Sequence, residues 1–416
     1  MVRSICLVSP GNLAANPRLV KEADALQEAG YAVTAVVSDY SIGLRSFDEE
    51  IVSRARWKVV RALRPPSERY VGAAARNVAR VIDGVCARVP VPIAVRAYGG
   101  PVGSLEDAAC AVPADLYIAH YVAALPAAGA AAQRHRAILG FDCEDFHSGE
   151  GGAGTAEARR MNLVRVVEGA WLPRCRHLTA ASPLIGEAYA SLYGVATPAT
   201  VLNVFPLDMA PTQPAAPRRP GAPLRAYWFS QTVGLDRGLQ PFLQAMAAAT
   251  TKVELDIRAD DPWGHGEALK AMARDLGIVD RFRLLPLAAP EEMVRLAAPY
   301  DLGLSLETDV SENRRLCLTN KLFTYLLAGI PTLMSDTPAQ RAMASDLGAA
   351  AVVVSLADPA GIAAALDGLA DDLDVARAVA WRLGHERYNW DVEKDVLLAS
   401  VATAFERWEQ GASCLH

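Results

Sequence analysis

A chain of 416 residues, 52% hydrophobic and 21% charged, is too long for one ordinary core and carries enough apolar material for two. A net charge of −6 excludes a general nucleic-acid binder, and no run of 18 apolar residues marks a membrane span. The seven cysteines (6, 86, 110, 143, 175, 317 and 414) are odd in number and lack C-x-x-C spacing. They read as free thiols of a reducing compartment, with neither a disulfide framework nor a zinc site. The first predicted strand begins at Ser4 and leaves no room for a signal peptide, so a cytoplasmic location is expected.

SICLVSP (4–10) reads as a buried parallel strand, followed by Gly11-Asn12 and a helix from about Asn16 to Ala29. Leu19, Ala23 and Leu26 form the apolar stripe of that helix, and Gly30 ends it. AVTAVVSD (32–39) completes a βαβ unit, which implies a parallel sheet with right-handed crossovers. The alternation continues with strands at 115–120, 137–144, 177–182 and 199–206, separated by helices, and predicts a doubly wound domain. Residues 208–223 hold five prolines and read as a linker. A second alternating series fills 224–389, and the tail from about 374 to 411 is predicted helical with a break near Tyr388-Asn389-Trp390.

One segment departs from the neutral background. Ten Lys/Arg lie between Arg54 and Arg96 against two acids, Glu68 and Asp83. Val71, Val78, Val81, Ile82 and Val85 share a helical face there, with Arg69, Arg76 and Arg80 away from it. The segment reads either as a solvated helix face or as a surface for anionic lipid or a phosphorylated acceptor.

The stretch LTNKLFTYLLAGIPTLMSD (318–336) organises the second half. It predicts a helix that opens on Asn320, Lys321 and Thr324, buries Leu322, Tyr325 and Leu326, stops at Gly329-Ile330-Pro331 and leads into a strand. A helix N-terminus with free N–H groups and a lysine suits an anion.

Ligands of doubly wound sheets bind beyond the carboxyl ends of the strands. The polar residues expected there are Gly11, Asn12, His120 and the Asp142-Glu144-Asp145 cluster in the first half. In the second they are Ser230, Gln231, Arg237, Leu287 and the segment Glu307 to Lys321.

SPGNLAANPRLVKEADALQEAGY, DLYIAH, ATVLNVFP, WFSQTVGLDRGLQ and NKLFTYLLAGIPTLMSD, in this order, resemble the retaining family 4 glycosyltransferases of the GT-B fold. The resemblance implies an α/β protein of two doubly wound, Rossmann-like domains facing across a cleft. Residues 1–207 would take the acceptor and 224–389 a nucleotide-sugar donor, with the helix from about 390 to 416 crossing back to the first domain. It implies transfer of a sugar from a nucleotide-diphosphate donor to the hydroxyl of a saccharide, lipid-linked or small-molecule acceptor. The transfer would proceed with retention and without a metal or other cofactor. Peripheral contact with an anionic membrane through 54–96 is a further expected partner, and nucleic acid is not.

By the same resemblance Arg237 and Lys321 would stabilise the departing diphosphate, His120 would bond the donor sugar, and Glu312 would complete the catalytic set. Gly11, Asn203, Ser230, Gln231, Leu287, Asn313, Asn320 and Thr324 would line the donor, with Glu312-Asn313 in a loop whose backbone N–H groups meet the sugar. Asn16, Arg18 and Asp142 would contact the acceptor. The family places a ribose-binding Glu where this chain has Thr324, so that carboxylate is missing or supplied elsewhere. A sugar-nucleotide epimerase using Asp142, Glu144 and Asp145 for proton transfer is a rival, as is a non-catalytic nucleotide-sugar sensor.

Overall fold

The computed structural model describes residues 2–38, 41–63, 65–85, 88–152, 154–219 and 221–413. Contacts divide the chain into two compact units, Met1–Val201 with Lys394–His416, and Leu202–Glu393.

The first unit runs β1 (Ser4–Ser9), α1 (Pro17–Glu28), β2 (Ala32–Ser38), α2 (Arg45–Arg54), β3 (Lys58–Ala62), α3 (Ser67–Val85), α4 (Val91–Tyr98) and α5 (Val102–Cys110). It continues with β4 (Leu116–His120), α6 (Leu125–His135), β5 (Ile138–Cys143), α7 (Thr155–Trp171), β6 (His177–Ala180), α8 (Pro183–Tyr193) and β7 (Ala199–Thr200). Its seven strands are all parallel, in the order β3-β2-β1-β4-β5-β6-β7. β1, β4 and β5 are apolar on both faces and almost wholly buried, as a sheet with helices on both sides requires. α1 starts where Pro17 presets φ and Asn16 accepts a hydrogen bond from the Leu19 N–H at 3.0 Å.

The second unit runs β8 (Leu224–Thr232), α9 (Leu239–Ala248), β9 (Val253–Asp260), α10 (His265–Asp275), β10 (Phe282–Leu285), α11 (Met293–Ala297) and β11 (Leu302–Ser305). Next come α12 (Glu312–Leu316), α13 (Asn320–Leu327), β12 (Thr332–Ser335), α14 (Pro338–Leu347), β13 (Ala351–Val354) and α15 (Pro359–Glu386). Its six strands are also parallel, in the order β10-β9-β8-β11-β12-β13. The core packs Trp228, Phe242, Leu255, Leu304 and Leu366 around β8, β9 and β11. The last helix, α16 (Trp390–Ser413), belongs with the first unit from Lys394 onward. There Phe405 stacks on Tyr31 at 6.0 Å between centroids and lies under the Arg3 guanidinium.

In both sheets the strand order reverses next to the first strand of the unit, between β1 and β4 and between β8 and β11. These switch points open a crevice at the carboxyl ends of the strands.

Four elements differ from expectation. The strand expected at 199–206 stops at Thr200. The Leu202 N–H bonds Glu393 at 2.6 Å and the Phe205 carbonyl accepts from the Trp390 N–H at 2.8 Å, so the backbone finds partners outside the sheet. β3 lies inside the basic segment, where no alternation announces it. Glu312–Leu316 is a short helix capped by Ser311, which accepts from the Arg314 N–H, where an open loop was expected. The Val71, Val78 and Val81 face of α3 is exposed, and the buried side of the helix carries Gly72 and Ala79. Arg64, Cys86 and Cys414 lie outside the described residues, as does the Val85 side chain.

Candidate functional site

Three segments converge at the switch point of the second unit. The loop after β8 carries Asp236, Arg237 and Gly238; the end of β11 leads into Glu307 and Thr308; and α13 begins with Asn320 and Lys321. The Thr308 hydroxyl donates to the Asp236 carbonyl at 2.8 Å, which ties the first two together. Gly238 has φ +68°, and a Cβ there would sit 2.9 Å from Cβ of Leu306. A glycine is required on both counts. Gly238→Ala is expected to destabilise the second unit by roughly 1–2 kcal/mol from backbone strain alone and to displace Arg237. Urea unfolding with donor-binding titration checks this.

Glu307 is 2% exposed and takes both cations nearest to it. Lys321 Nζ lies 3.0 Å from its Oε1, and Arg314 Nη1 bonds its Oε2. The Ser335 hydroxyl accepts from the Glu307 N–H at 2.9 Å. Burial would raise this carboxyl, but Lys321 and then Arg314 outweigh burial and hold it at about 2. A carboxyl depressed on folding contributes stability above its unfolded value, and loses it as pH falls through the folded one. The second unit should therefore weaken between about pH 4.5 and 2, by about 3 kcal/mol in full. Glu307→Gln should flatten that limb in acid-titrated urea melts, and an unchanged limb would show that Glu307 does not carry it.

Arg237 is held more loosely. Its Nε lies 3.7 Å from Asp236 Oδ1, and that buried nitrogen has no hydrogen-bond partner. A buried guanidinium donor without an acceptor is costly unless something else supplies one. Arg237, Arg314 and Lys321 thus face two carboxylates, Asp236 and Glu307, and leave one positive charge over. α13 adds free N–H groups, since Thr319 makes no side-chain cap.

Of the other donor candidates, Ser230 is half-buried and Gln231 exposed at the end of β8. Leu287 is exposed beyond β10, and Asn320 is exposed at the first turn of α13. Asn313 is half-buried on α12. Glu312 points to solvent and pairs with Arg315 at 2.8 Å. Thr324 is fully buried and its hydroxyl donates to the Asn320 carbonyl at 2.9 Å, the geometry of a helix-internal bond. Asn203 is half-buried in the extended segment after β7.

In the first unit the switch point is packed with paired charge. The Arg18 guanidinium forks onto Asp142, with Nε 2.6 Å and Nη2 2.8 Å from its two oxygens, while Nη1 donates to the Val201 carbonyl at 2.8 Å. Thr179 adds a bond to Asp142 at 2.7 Å. Burial would raise Asp142, yet Arg18 holds it at about 2. His120 is 1% exposed, with Nε2 3.3 Å from Glu22 and Nδ1 3.6 Å from Asp142. These are ion-pair distances without hydrogen-bond alignment. Burial would lower His120; Glu22 outweighs it and the imidazole is raised. Asn16 spends its oxygen on capping α1. Gly11 lies at the β1 end with no atom within 4 Å of where a Cβ would stand, so packing does not demand it.

Glu22, His120 and Asp142 bring ligand atoms within 4.8 Å of one another. Both Asp142 oxygens are already bonded by Arg18, and Arg18 Nε lies 3.4 Å from Glu22. A metal cation there would have to displace a guanidinium, so the donor set fits one poorly. Burial raises Glu144 to about 7, and burial then Arg18 lower Lys21 to about 7.

Sequence reasoning left Glu307 without a role and missed Glu22. The acid closing DLGLSLE was the available signal for Glu307. Glu22 looks like any helix-surface acid, and only the return of β4 beside it shows its burial.

Among the described residues no helix is long and apolar enough to cross a membrane. No protein-family model matches the chain, and no curated protein does. Solved structures do. Anabaena Alr3699/HepE in complex with UDP superimposes with a TM-score of 0.66 at 13% identity, over 97% of this chain and 100% of that one. Sucrose-phosphate synthase from Thermosynechococcus elongatus gives 0.66 at 14%, over 97% and 100%. A putative UDP-N-acetylglucosamine 2-epimerase from Listeria monocytogenes gives 0.53 at 12%, over 98% and 98%. At these identities the likeness is one of fold, and that fold is GT-B, two parallel Rossmann-like sheets.

Proposed function

We propose that this chain is a glycosyltransferase that moves a sugar from a nucleotide-diphosphate donor to an acceptor hydroxyl. The observation that carries the reading is the buried, unpartnered Nε of Arg237 at the switch point of the second unit, beside the Glu307–Lys321–Arg314 cluster. A diphosphate supplies the acceptor that this donor lacks. Arg237 would bind phosphate oxygens through its planar fork, and Lys321 would add a point charge. Negative charge grows on the diphosphate as the glycosidic bond breaks, so fixed cations there lower the barrier. With that charge met by side chains, the reading needs no metal, and activity should survive chelation. HepE, of the same fold, is described in complex with UDP, which supports a nucleotide donor.

The acceptor would bind the first unit. Arg18, Asp142 and His120 are buried against one another, so they would shape its crevice more than touch the acceptor. Retention at the anomeric carbon and membership of family 4 rest on the sequence motifs. Thr324 in place of a carboxylate implies a weaker grip on the ribose than the family resemblance would give.

A second reading, a sugar-nucleotide epimerase, draws on the carboxylates at the end of β5 and on the epimerase of similar fold; of these Asp142 is tied to Arg18 and Thr179, which leaves Glu144 and Asp145 for proton transfer. Incubation with UDP-, GDP-, ADP- and TDP-sugars separates the readings. Nucleotide release supports the transferase, an altered sugar on an intact nucleotide supports the epimerase, and binding without turnover contradicts both.

A further inference from the structure

We propose that the first unit holds a second binding site, for a phosphate monoester carried on a single apolar chain, in the cavity between α3, α4 and α7. The cavity has a volume of about 310 Å³, at the small end of ligand pockets. Four arginines line it: Arg76 and Arg80 from α3, and Arg159 and Arg160 from the first turns of α7.

Their charges are not equally spent. Arg159 lies 3.5 Å from Asp83, whose other oxygen accepts from Asn162 at 3.0 Å. Arg160 lies 3.5 Å from Glu150 and 3.9 Å from Glu157, and its guanidinium sits 5.9 Å from the centre of the Tyr98 ring. Among the described residues Arg76 and Arg80 have no carboxylate partner. They stand four residues apart on one side of a helix, where like charges repel unless an anion lies between them. A phosphate monoester carries nearly two negative charges at neutral pH, which matches the two cations left over. Arginine also binds phosphate oxygens in pairs, which lysine does not.

The apolar half of the ligand follows from the rest of the wall. Val89, Ala97 and Leu163 line the same cavity. A wholly polar sugar phosphate would leave these side chains uncovered, whereas an apolar chain running from the phosphate would pack against them. The inference stands on the first unit alone and does not depend on the donor reading.

The probe is farnesyl monophosphate below its micellar concentration, titrated into the full chain by calorimetry. Farnesol, inorganic phosphate and phosphatidylglycerol vesicles are the comparison arms. Farnesyl phosphate is expected to bind, and Arg76→Ala/Arg80→Ala to weaken it roughly 10-fold or more, the scale of charged hydrogen bonds. Arg69→Ala, exposed on the same helix and outside the cavity, should not. An equal loss with Arg69→Ala would reveal a diffuse basic surface and overturn the site. Inorganic phosphate or farnesol binding as tightly as the intact probe would overturn the ligand class. Binding to vesicles alone, with none to farnesyl phosphate, would overturn the pocket in favour of a membrane field. Should the double variant misfold, phenylglyoxal labelling of the unaltered protein decides: farnesyl phosphate should protect Arg76 and Arg80, and absence of protection refutes the site. UDP binding measured on the same samples keeps the two readings apart, since either can fail while the other holds.

Discussion

Arg237→Ala is expected to lower sugar transfer by about 10²-fold or more, the scale of losing one donor that acts on transition-state charge. Its Nε is buried without a hydrogen-bond partner and its nearest carboxylate, Asp236, lies 3.7 Å away. Folding therefore gains little from this side chain, and a 3.7 Å contact between partly exposed groups is worth at most a fraction of a kcal/mol. The variant should melt like the unaltered protein while its turnover collapses. Steady-state nucleotide release with thermal melting reads both. Near-normal turnover would remove Arg237 from the site, and a large drop in melting temperature would make its role structural.

The largest stability effect is expected in the first unit. Asp142→Ala leaves Arg18, 1% exposed, without its bidentate partner, and should cost about 3–5 kcal/mol. His120 loses a neighbouring charge at the same time. Replacing the pair together, as Arg18→Met/Asp142→Leu, should recover much of the loss, because two apolar side chains need no mutual compensation. Urea unfolding of the three chains measures the differences. A single variant as stable as the parent would mean that water reaches Arg18.

The alternation of strands and helices was plain in the sequence because both sheets are parallel and buried, so their strands read as short apolar runs between helical stripes. β3 escaped notice: KVVRA, with a basic residue near each end, lies in a segment dominated by arginine. The strand expected at 199–206 failed for a long-range reason, since Glu393 and Trp390 take over its backbone groups. The break at Tyr388-Asn389 was legible because Asn389 caps the next helix through the Val392 N–H at 3.2 Å.

The positions of the candidate residues were legible in part. The resemblance nominated Arg237 and Lys321, and the structure places them in the loop after β8 and in the first turn of α13. What the chain order hides is the partner of each charge. Arg18 and Asp142 are 124 residues apart, and Lys321 meets Glu307 across a helix and two loops. A buried carboxylate such as Glu22 or Glu307 looks like a surface acid until the sheet brings a cation to it. Glu312, which the resemblance put in the catalytic set, faces solvent and pairs with Arg315.

The central claim is that the cations at the β8–β11 switch point hold a diphosphate. A crystal structure of the chain soaked with a nucleoside diphosphate tests it most directly. The expected result is phosphate oxygens within about 3.2 Å of Arg237 and Lys321, with the Arg237 Nε satisfied. A diphosphate bound elsewhere, with both side chains unchanged, would contradict it.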